Sequence, residues 1–327
     1  MSPRYALILA IAVGLLVVSA SASKRDAEAT TLVEHAKQLS EIRSEGAPAF
    51  RLKASLRIFN QGGSTTEGEY VEQWASKAQW RKEVAVGDFR RTEVAMGRKR
   101  WLLDSNPSAP EQIGTLSSFT ELGSLQPATW PSRKLEDRES NGLSVRCVES
   151  GVRALCFDKI TGTLISESTL VRTGGVYRTS VCLYSDYEKF GDRLLAKSYV
   201  CSEDKKPTIE ARILEFTVQP AFGASLFTAP EGARESVNCL DSVQPPRVLY
   251  SENPPPPRRA PDGAMVVLSV TVGTDGKPKD FSVVSAPNPD FDRAALNALK
   301  NWRFSPAHCG KEPIEKSIEV QMQFNTF

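Results

Sequence analysis

From Phe50 onward the apolar residues recur at every second position, and this period of two constrains the chain more than any other feature. Leu52, Ala54, Leu56 and Ile58 face one way while Arg51, Lys53, Ser55 and Arg57 face the other, the pattern of a strand buried on one face. Further strands separated by turn residues are predicted over 68–74, 79–86, 89–96 and 99–103, with Gly87 and Asp88 as a hairpin loop. The segment 106–131 breaks the pattern with Pro, Gly and Ser around Phe119, Leu122 and Leu125, as a helix or lid would. Strands resume over 143–150, 152–158, 162–171, 176–187, 193–201 and 208–218. Ahead of them all, Leu32, Val33, Ala36, Leu39 and Ile42 make one stripe of a helix over 30–44. So many consecutive antiparallel strands beside one or two helices predict an α+β domain over 29–235, a strongly curved sheet holding a helix in its concavity.

The balance of 41 Lys+Arg against 39 Asp+Glu leaves a formal charge of +2, which argues against binding nucleic acid by bulk electrostatics. Two histidines, His35 and His308, are too few for a multi-histidine metal site or several acid–base centres, so neither metal nor cofactor is expected. Arg4 precedes an apolar run over 5–18, and Ala20, Ser21 and Ala22 follow in a pattern suited to cleavage. That run is shorter than the ~20 residues a spanning helix needs. A signal peptide over 1–22 and export to the periplasm are expected, with an uncleaved inner-membrane anchor as the alternative.

Six cysteines in an exported chain suggest disulfides. A two-residue loop at Gly151 and Val152 sets Cys147 opposite Cys156 at a non-hydrogen-bonded site, where Cα atoms approach to about 4.5 Å. Folding about Gly191 and Asp192 sets Cys182 opposite Cys201, there at a hydrogen-bonded site nearer to about 5.5 Å. Elimination leaves Cys239 with Cys309. Buried free thiols are the alternative.

Between 236 and 261 the chain carries Pro245, Pro246, Pro254, Pro255, Pro256 and Pro257, then Arg258 and Arg259, a stiff extended linker. Beyond it, over 262–327, a strand at 263–272, a turn at 273–278, a strand at 281–285, a helix capped by Asp290 and a strand at 314–324 predict the order ββαβ. Phe291, Ala295, Ala298 and Trp302 lie on one apolar face of that helix. A unit of this kind leaves a sheet edge to which an extended partner segment could pair.

Two resemblances follow from these residues. The initial helix, the strand meander, the Phe157 to Leu164 strand–turn with Gly162, and the ending Leu226, Phe227, Pro230 and Gly232 resemble the LolA-like lipoprotein-carrier superfamily. That resemblance implies an incomplete β-barrel whose hollow takes a lipid or lipoprotein cargo. Gly273 and Gly276, Val283, Val284 and Ser285, Asp292, Ala294, Ala295 and Ala298, and above all Trp302, Arg303, Phe304, Ser305, Pro306 and Ala307 followed by Gly310 resemble the C-terminal domain of TonB-family proteins. This implies a protein partner in the envelope, such as a TonB-dependent outer-membrane receptor, whose plug-side peptide joins the domain as an added strand. The implied docking edge is the strand of Ile314, Ile318, Val320, Met322 and Phe324, with Arg303 and Lys311 as polar contacts. Three departures withhold the force-transmitting role: no histidine in the N-terminal apolar run, a short spacer, and Asn253 before Pro254 where relatives have an aromatic residue.

His308 beside Cys309 admits a thiolate activated by imidazole, but a disulfide through Cys309 is the simpler reading, and no enzyme is expected. His35 is read as solvated, as are Glu67, Glu69, Glu72, Arg90 and Arg91 on an outer strand face. Trp74, Trp80, Trp101 and Trp130 are read as core.

Overall fold

The alternation beginning at Phe50 becomes strand β1 (Phe50–Phe59), and its even-numbered apolar residues Leu52, Leu56 and Ile58 are at most 2% exposed. Burying each contributes about 1.5–3 kcal/mol. The coordinates, a computed structural model, describe residues 26–324 apart from 61, 107–109, 111, 114–115, 117–133, 141, 151–152, 174–175, 253, 256 and 258–263. The signal segment, the Gly151–Val152 loop, Phe119, Leu122, Leu125, Trp130, Arg258 and Arg259 therefore lie outside the described residues.

After β1 the meander continues through β2 (Thr65–Ser76), β3 (Gln79–Val86), β4 (Phe89–Met96), β5 (Lys99–Asp104), β6 (Lys134–Ser140), β7 (Leu143–Ser150), β8 (Arg153–Asp158) and β9 (Leu164–Thr173). It is completed by β10 (Val176–Phe190), β11 (Arg193–Glu203), β12 (Lys206–Val218) and β13 (Arg234–Val237). All thirteen belong to one antiparallel sheet in the order β13-β5-β4-β3-β2-β1-β12-β11-β10-β9-β8-β7-β6. Residues 26–40 form helix α1, which starts and ends about four residues earlier than its apolar stripe suggested. Ala29, Val33 and Ala36 on α1 pack in one buried cluster with Leu52, Trp74, Val148, Phe157, Tyr199 and Ile209 of the sheet. His35 stays exposed, its ring edge against Gly162, whose φ of 76° sets the turn between β8 and β9.

All six cysteines are in disulfides, Cys147–Cys156, Cys182–Cys201 and Cys239–Cys309. The Cys182–Cys201 Cα distance is 4.0 Å, not the wider spacing that counting from the turn gave. Asp186 explains the difference: its φ of 55° interrupts the alternation, so Tyr184 and Tyr187, three residues apart, both pack toward the core.

The outer-face reading fails at Glu72, which is fully buried. Glu72 shares its parity with Tyr70 and Trp74, and Arg43, just beyond α1, reaches it with Nε to Oε1 at 2.8 Å. Arg91 is half-buried and paired with Asp104 at 2.7 Å, while Glu67 and Glu69 form exposed pairs with Arg57 and Lys53. Trp74 is buried, whereas Trp80 and Trp101 are half-buried.

The Pro-rich segment is no free spacer. β13 extends the large sheet beside β5, and β14 (Val243–Gln244) and β15 (Arg247–Tyr250) pair with short strands further on. The terminal module then runs β16 (Ala264–Val272), β17 (Pro278–Ser285), helix α2 (Pro289–Leu299), β18 (Arg303–Ser305), β19 (Ala307–Cys309), β20 (Glu312–Ile314) and β21 (Lys316–Phe324). The residue capping α2 is Asn288, not Asp290. Its side chain accepts from the backbone N–H of Asp290 at 2.9 Å, and Pro289 follows at the first helical position, where its missing N–H costs nothing. Among the described residues no helix is long and apolar enough to cross a membrane.

Candidate functional site

The small sheet has the order β17-β16-β21, so β21 is an end strand. Its other end strand, β17, lies against β9 of the large sheet. β21 pairs with β16 along its whole length, from Ala264 with Phe324 to Val272 with Lys316. Its second flank offers backbone N–H and C=O groups to an added strand.

Ile318, Val320, Met322 and Phe324 point into the module's own core with Val266, Leu268, Phe291, Ala295 and Phe304. The Phe291 and Phe324 rings meet edge to face, 4.9 Å between centroids. These side chains therefore stiffen the edge and do not present it. Lys316, Ser317, Glu319, Gln321 and Gln323 are the exposed residues of the strand. Ile314, expected on the same strand, instead ends β20 and pairs with Ala307, because Pro313 and the turn at Gly310 fold that stretch back on β19.

The Gly273 to Gly276 turn and the Trp302 to Pro306 stretch are parts of one contact. Gly276 has φ of 74°, its carbonyl accepts from Phe304 N–H at 3.0 Å, and a Cβ there would stand 2.1 Å from the Phe304 carbonyl oxygen. Only glycine fits. Trp302 is buried and donates its indole N–H to the Glu252 carbonyl at 3.1 Å, while Asn301 Nδ2 donates to the Glu252 side chain at 3.0 Å. Together with the β15–β18 pairing, these bonds seat the segment before β16 on the module.

Residues 257–326 match the Gram-negative bacterial TonB protein C-terminal family. In the TonB-type module, Asp292 is buried in the first turn of α2, and Gly273 closes its turn with N–H to Lys277 carbonyl at 2.9 Å. Arg303 is exposed and donates to the carbonyls of Lys300 and Trp302, and Lys311 is exposed at the β19–β20 turn, away from β21 in sequence. His308 sits on β19 opposite Pro313 and Gln244, and its neighbour Cys309 is disulfide-bonded, so no thiolate is present there.

Solved structures with similarity to the chain include a domain assigned to outer-membrane lipoprotein sorting from Vibrio parahaemolyticus (15% identity, 61% of this chain and 97% of that one, TM-score 0.41). They also include a LolA superfamily protein from Nitrosomonas europaea (11% identity, 61% and 97%, TM-score 0.38) and a DUF1329 family protein from Desulfovibrio piger (10% identity, 61% and 96%, TM-score 0.38). No curated protein matches. Likenesses this distant leave the role of the large sheet to its own residues.

Sequence patterns missed the polar contacts between the TonB-type module and the large sheet. Arg98, in the β4–β5 turn, donates to Asp241 Oδ2 at 2.7 Å and stands 3.5 Å from Glu312. Arg153, at the start of β8, pairs with Glu319 of β21. Each joins residues more than a hundred positions apart, and no local spacing announces such partners.

Changing Gly276 to Ala is expected to destabilise the module by about 2–3 kcal/mol, through the positive φ and the overlap with Phe304. Faster amide exchange across β16, α2 and β21, with β1 and β2 unchanged, is the measurement that checks it.

Proposed function

We propose that this chain is a non-enzymatic protein of the Gram-negative periplasm whose TonB-type module docks an extended segment of an envelope partner on β21 by strand addition. The observation that carries the reading is that β21 is an end strand with no hydrogen-bonded neighbour on its second flank among the described residues, while the opposite end strand β17 packs close to β9 of the large sheet. Backbone pairing supplies affinity in this mode, and the neutral side chains of Ser317, Gln321 and Gln323 leave the strand's exposed face compatible with a neighbour. The plug-side segment of a TonB-dependent outer-membrane receptor is the partner class we assign, with a part in transport linked to the outer membrane; the match of 257–326 to the TonB C-terminal family supports this reading.

A lipid or lipoprotein cargo in the hollow has less support, because Ala29, Val33 and Ala36 of α1 already pack against the core-facing side of the sheet. The test is amide exchange of the full chain with and without a synthetic peptide of the receptor's plug-side sequence. Protection of alternate amides in β21 is expected. Saturating peptide without protection there overturns the reading.

A further inference from the structure

The TonB-type module touches the large sheet in two places that are far apart in strand order. One is the β4–β5 turn, near the β13 end of the sheet; the other is β8 and β9, near the β6 end. The two attachments differ in kind. At the first, Cys239–Cys309 is a covalent tie, Arg98 bridges Asp241 and Glu312, and Asn238 Nδ2 donates to the carbonyls of Lys77 at 3.0 Å and Gly97 at 2.8 Å. At the second, β17 rests against β9, and the ion pair is Arg153 with Glu319, each about one-third exposed.

Arg153 has a second acid within reach. Leu155 follows it on the same face of β8, and the register partner of Leu155 on β9 is Glu167. Burial pushes the Glu167 carboxyl up, Arg153 opposes that, and Glu319 adds to it. The guanidinium is ion-paired with Glu319 and acts on Glu167 through its charge alone. When Glu319 withdraws, both partners are already about one-third exposed and turn to water, so separation does not strand a buried charge, the outcome that makes breaking most buried pairs costly.

We propose that the TonB-type module is a clasp across the large sheet, hinged at Cys239–Cys309 and released at Arg153–Glu319. Glu319 stands in the middle of β21, so a strand added to that edge competes with the latch. The clasp needs no partner to exist; its trigger rests on the function proposed above.

The test uses the full oxidised chain carrying Glu167→Gln as the parent, so that an acid at position 153 meets no second carboxylate, and amide exchange on Arg153→Glu, Glu319→Arg and the charge-swapped pair. Each single variant is expected to exchange about three- to fivefold faster in β8, β9 and β21, as loss of one partly exposed ion pair allows, with residues 234–244 unchanged. The swapped pair restores the parent rate. Singles that match the parent, a swapped pair that fails to restore the parent rate, or acceleration spread through β1 to β4 each overturn the clasp. As a second readout, spin labels at Ile160→Cys and Lys316→Cys give a broader distance distribution in Arg153→Gln, and an unchanged distribution counts against it. Receptor peptide added to the wild type accelerates β8 in the same way. If charge swapping behaves as described and the peptide does nothing, the trigger and the strand-addition reading fail while the clasp stands.

Discussion

Replacing Glu72 by Gln lowers the stability of the protein by about 3–5 kcal/mol at neutral pH, the cost of leaving a buried guanidinium without its counter-charge. Glu72 is fully buried and its partner Arg43 keeps one-tenth of its side chain exposed. Arg43 grips both carboxylate oxygens, and Tyr70 donates its hydroxyl to Oε2 at 2.8 Å. Burial alone would raise this carboxyl, but Arg43, Lys82 and Tyr70 outweigh it and hold it below the ordinary range. A group depressed in the folded state contributes its full stability above the unfolded value of about 4.3 and loses it as pH falls through the folded value. Urea midpoints should therefore drop below about pH 4 in the wild type and change less in Glu72→Gln. A triple change, Arg43→Met, Glu72→Leu and Tyr70→Phe, should recover much of the loss, since apolar groups of similar volume often replace a buried pair without penalty. If Glu72→Gln unfolds within about 1 kcal/mol of the wild type at pH 7, the pair is not the anchor described here.

That ion pair also marks how far the sequence could be read. The period of two exposed the large sheet, and the parity of Tyr70, Glu72 and Trp74 already set Glu72 apart from Glu67 and Glu69. Reading every acid on a strand as solvent-facing overlooked that parity. Arg43 was out of reach, because its position depends on where α1 ends against the sheet. Asp186 shows a second limit: counting from a turn assumes an unbroken ladder, and one residue at positive φ flips both the faces and the spacing at Cys182–Cys201. In the terminal module the Gly276 and Trp302 to Pro306 stretches were legible as a family signature, and the structure supplies the reason in the Gly276–Phe304 contact. Strands of two to four residues such as β14, β15 and β20 carry too few alternations to be seen, which is why the linker read as free and Ile314 read as part of β21.

The covalent tie at the hinge yields the other large effect. Joining Cys239 to Cys309 spans 70 residues of sequence, against 9 for Cys147–Cys156 and 19 for Cys182–Cys201. In the chain-entropy description, the longest loop contributes about 4.4 kcal/mol and the shortest about 2.6, so removing the longest costs most. Cys239→Ser with Cys309→Ala is expected to split thermal unfolding into two transitions, with the TonB-type module melting first. The split follows from what remains at that attachment: Arg98 and its acids are about half exposed and hold weakly, and Asn238 keeps its side-chain bonds to the Lys77 and Gly97 carbonyls and its backbone bond to the Arg98 carbonyl. Removing Cys147–Cys156 instead leaves a single transition, because β7 and β8 stay paired on both sides of it. Should the Cys239–Cys309 variant melt in one step within a few degrees of the wild type, the polar contacts alone hold the module, and the hinge of the clasp is the Arg98 cluster and not the disulfide.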